Sequence, residues 1–183
     1  YHKSKLVVGV ETLPFRDIVE PLLGNVMLDF GGTVLTRATL EDREAFSLYN
    51  DIKISPVICY ESVYGEFVTG YVRNGAEVLA IMTNDAWWGD TAGHKQHMAY
   101  ASLRAIETRR TVVRSANTGI SGFITPLGEV TTKLAYNTKG VLTAAVYPQS
   151  DITIYVRYGD YIFRLGGFVA GLMLLFSFSR GKN

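Results

Sequence analysis

From Leu165 to Phe178 the chain carries no charged residue (LGGFVAGLMLLFSF), and this run limits where its C-terminal end can reside. An uncharged run of about 10–14 residues is more often a buried helix, whereas a membrane span needs roughly 20 apolar residues. Tyr161, Ile162 and Phe163 extend the run to near bilayer length, with Arg164 as its only charge. Arg164 lies close enough to one end to reach back toward water. Tyr155, Tyr158 and Tyr161 precede the run, where interfacial aromatics sit, and Arg180 and Lys182 follow it. Positive charge after a span marks the cytoplasmic side. The pattern predicts a transmembrane helix over 161–179, a cytoplasmic tail over 180–183, and an outward-facing domain over 1–158. The competing reading is a core helix that closes a soluble domain.

The remainder suits one domain. The chain has 183 residues, 48% of them apolar and 19% charged, so it can bury a core. Eighteen basic residues oppose seventeen acidic ones, for a formal charge of +1. That balance argues against a nucleic-acid partner, which needs a concentrated basic face. One cysteine excludes an internal disulfide and a Cys-cluster zinc site. The first residue is Tyr1 rather than methionine, and the chain is expected to be part of a longer protein.

Strands and helices alternate along this body. Ile54–Cys59 (ISPVIC) and Val78–Thr83 (VLAIMT) read as buried strands, although Pro56 weakens the first. Ser62–Asn74 fits a helix with a C-cap signal at Asn74-Gly75. His94–Arg110 reads as a second helix with Met98, Ala101, Ala105 and Ile106 on its apolar face. Thr111–Ser115, Gly122–Thr125 and Val141–Val146 read as strands, and Pro126–Glu129 as a turn. Tyr1–Val8 also reads as a strand, while Leu22–Thr39 reads as loop.

Cys59 falls where a strand meets a helix start. There a thiol is exposed at a sheet edge, and the helix N-terminus favours a thiolate and can hold an oxyanion. A lone cysteine is also commonly a small core hydrophobe, and position alone leaves both readings open. Glu61 lies two residues on. In a strand, Lys3 and Lys5 share one face, and a nearby lysine lowers a thiol pKa and can donate to an oxyanion. Each of these charges is alternatively an ordinary surface side chain.

ICYES, TNDAWWGD, HKQHMAYASLRAIETRR and VVRSANTGISGFITPLGE together resemble the carbon–nitrogen hydrolase (nitrilase) superfamily, closest to its membrane-bound acyltransferase branch. The Asn84-Asp85-Ala86-Trp87 loop and the closing apolar segment separate that branch from soluble members. The resemblance implies an α/β fold, part of a nitrilase-like α-β-β-α sandwich followed by the C-terminal transmembrane helix. It implies Cys59 as nucleophile, Lys3 as the catalytic lysine, Glu11 as a supporting acid, and functional roles for Tyr60 and Glu61. Val8-Gly9-Val10 stands where the family often has Pro-Phe-Gly, at the same length, and Trp88 where phenylalanine is common. The general-base glutamate is expected upstream of Tyr1, so the chain by itself is expected to be inactive.

The implied reaction is transfer of an acyl chain from a membrane phospholipid, through a Cys59 thioester, to the N-terminal amine of a diacylglyceryl-modified lipoprotein. No metal or organic cofactor is implied. The implied location is the bacterial inner membrane, with the catalytic domain on the outer, periplasmic face. Trp87 and Trp88 are candidate lipid contacts, because two adjacent tryptophans cannot both enter one core from a strand and one is expected to be exposed. Asn84 and Asn117 are candidate pocket residues, and Asn117-Thr118-Gly119 reads as a turn between strands. His94 and His97, spaced i, i+3, lack the further ligands a zinc site needs, and a helix-start role fits them better. Two other functions remain open: a nitrilase-type amidase acting on a small amide, and a membrane-anchored binding domain without catalysis.

Overall fold

The aliphatic runs become the centre of a six-stranded mixed sheet in a computed structural model that describes residues 1–7 and 42–180. The strands are β1 (Phe46–Ser47), β2 (Lys53–Ile58), β3 (Val78–Asn84), β4 (Thr111–Asn117), β5 (Ser121–Ile124) and β6 (Val130–Leu134), and they lie in sequence order across the sheet. β2, β3 and β4 run parallel, with Ile58 opposite Met82 and Asn84 opposite Asn117. β1, β5 and β6 are added antiparallel. Pro56 is tolerated in β2 because the pairing with β1 involves only Lys53 and Ile54. It therefore sits beyond the edge strand, where its missing N–H costs no ladder bond.

Two helices cover one face of the sheet. α1 (Gly65–Arg73) follows β2, and α2 (Ala92–Thr108) follows β3. Both are crossovers between parallel strands, the connection such pairs require. Phe67, Val68, Tyr71 and Val72 of α1 meet Met98, Ala101 and Ala105 of α2 and Val57, Leu79, Ile81, Val112 and Ile124 of the sheet in one core. The opposite sheet face is more open, and Met82 on it is 45% exposed. The described residues thus form one helix layer and one sheet layer of the α/β sandwich.

Several expectations need correction. Tyr1–Val7 is not a strand, so the two N-terminal lysines do not share a strand face. Val141–Val146 is extended but pairs with no described strand, and Val141 is 90% exposed. Ile106 is 42% exposed rather than on the buried stripe of α2, whose core-facing positions include His94, His97 and Arg104. The helix expected from Ser62 is preceded by a 3-10 turn at Cys59–Val63. Short β1 and β6, and the short helix α3 (Ile154–Tyr158), were not legible. The Leu22–Thr39 loop and Glu11 lie outside the described residues.

The final helix, α4 (Tyr161–Arg180), stands clear of the core. It has 20 residues and a mean hydropathy of 1.8 over its apolar window. At 1.5 Å per residue it is about 30 Å long, the thickness of a bilayer's hydrocarbon. None of its residues is buried, and Phe163 and Phe178 are 81% and 74% exposed. The soluble-core reading requires burial that this helix does not have.

Candidate active site

The C-terminal ends of β2, β3 and β4 place Cys59, Asn84 and Asn117 along one edge of the sheet. In open parallel sheets this edge is where ligands bind. Cys59 is half-buried and has φ +51°. A non-glycine residue in this left-handed region carries roughly 1–3 kcal/mol of strain and persists only where its surroundings hold it. The chain turns sharply at that point from strand β2 into a 3-10 turn at Cys59–Val63.

Three side chains surround the turn. Glu61, fully buried, accepts a 2.8 Å hydrogen bond from the Ile58 N–H at Oε2. Its Oε1 accepts from the Tyr1 hydroxyl at 2.9 Å and from the Ser4 N–H. Glu61 therefore ties the strand end to the N-terminal segment that carries Lys3. Ser62 Oγ donates to the Cys59 carbonyl at 2.8 Å. His97 Nε2 lies 3.0 Å from Ser62 Oγ and 3.2 Å from the same carbonyl. Ser62 thus holds the carbonyl of the strained residue, with the His97 ring packed beside both groups.

His97 is itself fixed from below. Its Nδ1–H donates to Asp85 Oδ1 at 2.9 Å, and Arg114 Nη2 donates to Asp85 Oδ2 at 2.7 Å. All three side chains are buried. Burial acts to raise the Asp85 pKa, but the hydrogen bonds and charges of His97 and Arg114 outweigh it and hold the carboxyl at about 2. The turn at Asn117-Thr118-Gly119 completes the nest, because a Cβ on Gly119 would collide with the Asp85 carboxylate.

The tryptophan pair divides as expected. Trp87 is 71% exposed. Trp88 packs edge-on against the His97 ring at 5.1 Å, in space left by the missing side chain of Gly93. Trp88, Tyr60, Val63, His97 and Tyr100 line a cavity of about 150 Å³ beside the turn. Asn117 lines a separate cavity of about 390 Å³ with Thr118, Asn137 and Lys139. Asn84 is occupied locally, its Oδ1 accepting from the Ala86 N–H at 3.1 Å. Lys5 lies over aromatic rings, with Nζ 5.6 Å and 5.9 Å from the Phe67 and Tyr64 ring centroids. Among the described residues no group of three or more His, Cys, Asp or Glu side chains is placed to hold a metal ion.

The carbon–nitrogen hydrolase pattern matches residues 1–151. The chain belongs to the carbon–nitrogen hydrolase family. Among curated relatives, the apolipoprotein N-acyltransferase of Pseudomonas paraeruginosa is 32% identical over 180 residues, 97% of this chain and 33% of that protein. The apolipoprotein N-acyltransferase of Azotobacter vinelandii is 34% identical over 161 residues, 86% of this chain and 30% of that protein. The chain spans about a third of the length of these relatives. The fold also matches a mutant of the amidase from Nesterenkonia sp. AN1, with a TM-score of 0.53 at 18% identity, over 71% of this chain and 50% of that one.

For a carbon–nitrogen hydrolase, sequence reasoning found the nucleophile candidate and missed what supports it. Asp85, Ser62 and Arg114 carry no functional expectation above, and His97 carries only that of a helix-start role, whereas its ring is buried between Asp85 and Ser62. The signal that could have found them is polarity on a buried stripe: His94, His97 and Arg104 share the face of α2 that also holds Met98, Ala101 and Ala105. Such residues are rarely buried without partners.

Proposed function

We propose that this chain is the C-terminal part of a membrane N-acyltransferase that carries a phospholipid acyl chain on Cys59 and delivers it to the terminal amine of a diacylglyceryl-modified lipoprotein. The observation that supports this most strongly is the junction of two features. A cysteine on a strained, braced turn sits in a carbon–nitrogen hydrolase domain, and an unburied apolar helix of bilayer length leaves the same domain. The similarity to relatives named apolipoprotein N-acyltransferase points the same way.

The proposed chemistry runs in two halves. The Cys59 thiol gives its proton to a glutamate base, assigned by family resemblance to the region upstream of Tyr1. The thiolate attacks the phospholipid ester carbonyl, and the negative charge moves to the carbonyl oxygen. Lys3 and the Tyr60 N–H hold that oxyanion, each good donor contributing about 3–4 kcal/mol. The C–O bond breaks, the lysophospholipid alkoxide takes up the proton, and a thioester remains. The lipoprotein amine then attacks the thioester and gives a proton to the now unprotonated glutamate, the C–S bond breaks, and the amide forms as the thiolate is released. A thioester passes its acyl group readily to an amine, which suits a cysteine to this exchange. Glu61 shapes the turn, Glu11 supports Lys3, and Asn84, Trp87, Trp88 and Asn117 contact the substrates. The whole protein sits in the bacterial inner membrane with this domain outside and its C-terminus in the cytoplasm.

The test supplies the whole protein in vesicles with a phospholipid labelled in its acyl chain, a diacylglyceryl-cysteine peptide and a small aliphatic amide. The reading expects label on the peptide amine and no ammonia from the amide. Ammonia release without peptide labelling would favour the amidase reading instead.

A further inference from the structure

A cleft of about 620 Å³ opens where α4 leaves the domain. Lys5, Arg43, Arg73, Arg157 and Arg164 line it against two carboxylates, Glu66 and Asp160, leaving a surplus of three positive charges. Both carboxylates are already engaged. Glu66 Oε1 accepts from the Asp160 N–H at 2.8 Å and from Arg164 Nη2 at 2.5 Å. The Asp160 carboxylate lies close enough to the Tyr155 hydroxyl to help burial push that phenol's pKa up. Two of the cations are held against ring faces. The Arg43 guanidinium lies 5.1 Å from the Phe67 centroid, and Lys5 Nζ lies near Phe67 and Tyr64. Cys59, Tyr60 and Trp88 are not among the lining residues; Val63 lines both this cleft and the small cavity beside the turn, so the cleft adjoins the candidate active site without including its thiol.

The depth of the cleft relative to a bilayer is set by Arg164. It lies in the first turn of α4, beside Ile162 and Phe163, which are 71% and 81% exposed. A charge at that position reaches back to the headgroup layer rather than entering hydrocarbon. Its ion pair with Glu66 therefore places the cleft at headgroup level. Tyr158 and Tyr161, 59% and 45% exposed, lie at the same level, where aromatic side chains prefer to sit.

We propose that this cleft binds the phosphodiester headgroup of an anionic phospholipid, docking the domain on the membrane beside α4. The proposal rests on the reading of α4 as a membrane span. A surplus of positive charge selects a headgroup with net negative charge over a zwitterionic one, and the headgroup level selects a lipid over a free anion. Each basic residue near an anionic membrane surface strengthens binding about fivefold.

The test uses the whole protein carrying Cys59→Ala, so that lipid retention is read without turnover and independently of the acyl-transfer reading. Native mass spectrometry in detergent measures retention of phosphatidylglycerol, phosphatidylcholine and inorganic phosphate. The proposal expects phosphatidylglycerol to be retained at least fivefold more tightly than phosphatidylcholine. Arg157→Gln is expected to weaken phosphatidylglycerol about fivefold and Arg157→Glu more than tenfold, with phosphatidylcholine unchanged. Arg157 is exposed, and an unchanged melting temperature confirms that the variants fold; Arg43→Gln replaces either variant that does not. Equal retention of the two lipids, no effect of the substitutions, or displacement of phosphatidylglycerol by equimolar inorganic phosphate would each overturn it.

Discussion

At the scale of single residues, much of the surrounding structure is committed to one strained backbone position. Cys59 is held by Glu61 and Ser62 with His97 packed beside them, and His97 is held by Asp85 and Arg114. Asp85 is ionised more readily folded than unfolded, because its carboxyl is lowered from 3.8 to about 2. Its contribution is therefore complete above about pH 4 and lost as the pH falls toward 2, an effect of order 2 kcal/mol. Asp85→Asn is expected to flatten this acid limb. It is also expected to destabilise the domain by about 3–5 kcal/mol at pH 7, since Arg114 is left buried without its carboxylate. Urea unfolding of both proteins from pH 2 to 7 measures the two effects; an unchanged acid limb would remove Asp85 from the brace. Lys3→Ala is expected to lower acyl transfer by at least a hundredfold and Lys5→Ala by less than threefold, read in the same transfer assay. The thiol was legible because a lone cysteine at a strand-to-helix junction has few neighbours to confuse it with. The brace was not legible, because Asp85 and His97 stand 12 residues apart in the sequence and meet only once β3 and α2 are packed.

At the scale of elements, sequence periodicity located β2, β3, β4, β5, α1 and α2 to within a few residues. These are aliphatic runs and long periodic segments, where burial and local preference agree. The failures have physical causes. A strand is made by its partner, and Val141–Val146 has the alternation without the ladder. β1 pairs through only two residues, too few to leave a pattern. In α2 the buried stripe is partly polar, so hydropathy alone places the exposed Ile106 inside and gives no sign of the buried Arg104. The turn between β4 and β5 is constrained by close approach, since Gly119 lies against Asp85. Gly119→Ala is expected to cost about 1–3 kcal/mol through overpacking, measured as a lower unfolding midpoint in urea. No change would mean that Asp85 moves freely and does not support the turn at Cys59.

At the scale of the whole molecule, the described residues form one sheet and one helix layer joined to a helix that shares none of their core. The uncharged run was readable because nothing but a bilayer or a buried interface suits such a composition, and its flanking aromatics and cations gave it direction. The basic cleft was not readable, because Lys5, Arg43, Arg73, Arg157 and Arg164 are spread across the chain and only the fold gathers them. If the whole protein sits as proposed, a protease should cleave the segment after Arg180 only from the cytoplasmic side of sealed vesicles. Cleavage from the opposite side would reverse the orientation.

The central claim is that the Cys59 sulfur carries the acyl chain. Whole protein is incubated with a phospholipid donor without acceptor, quenched in acid, digested and mapped by mass spectrometry. The account predicts a hydroxylamine-sensitive acyl group on the peptide containing Cys59, absent from Cys59→Ala protein. The same adduct persisting in Cys59→Ala, or appearing on another residue of the wild-type chain, would contradict it.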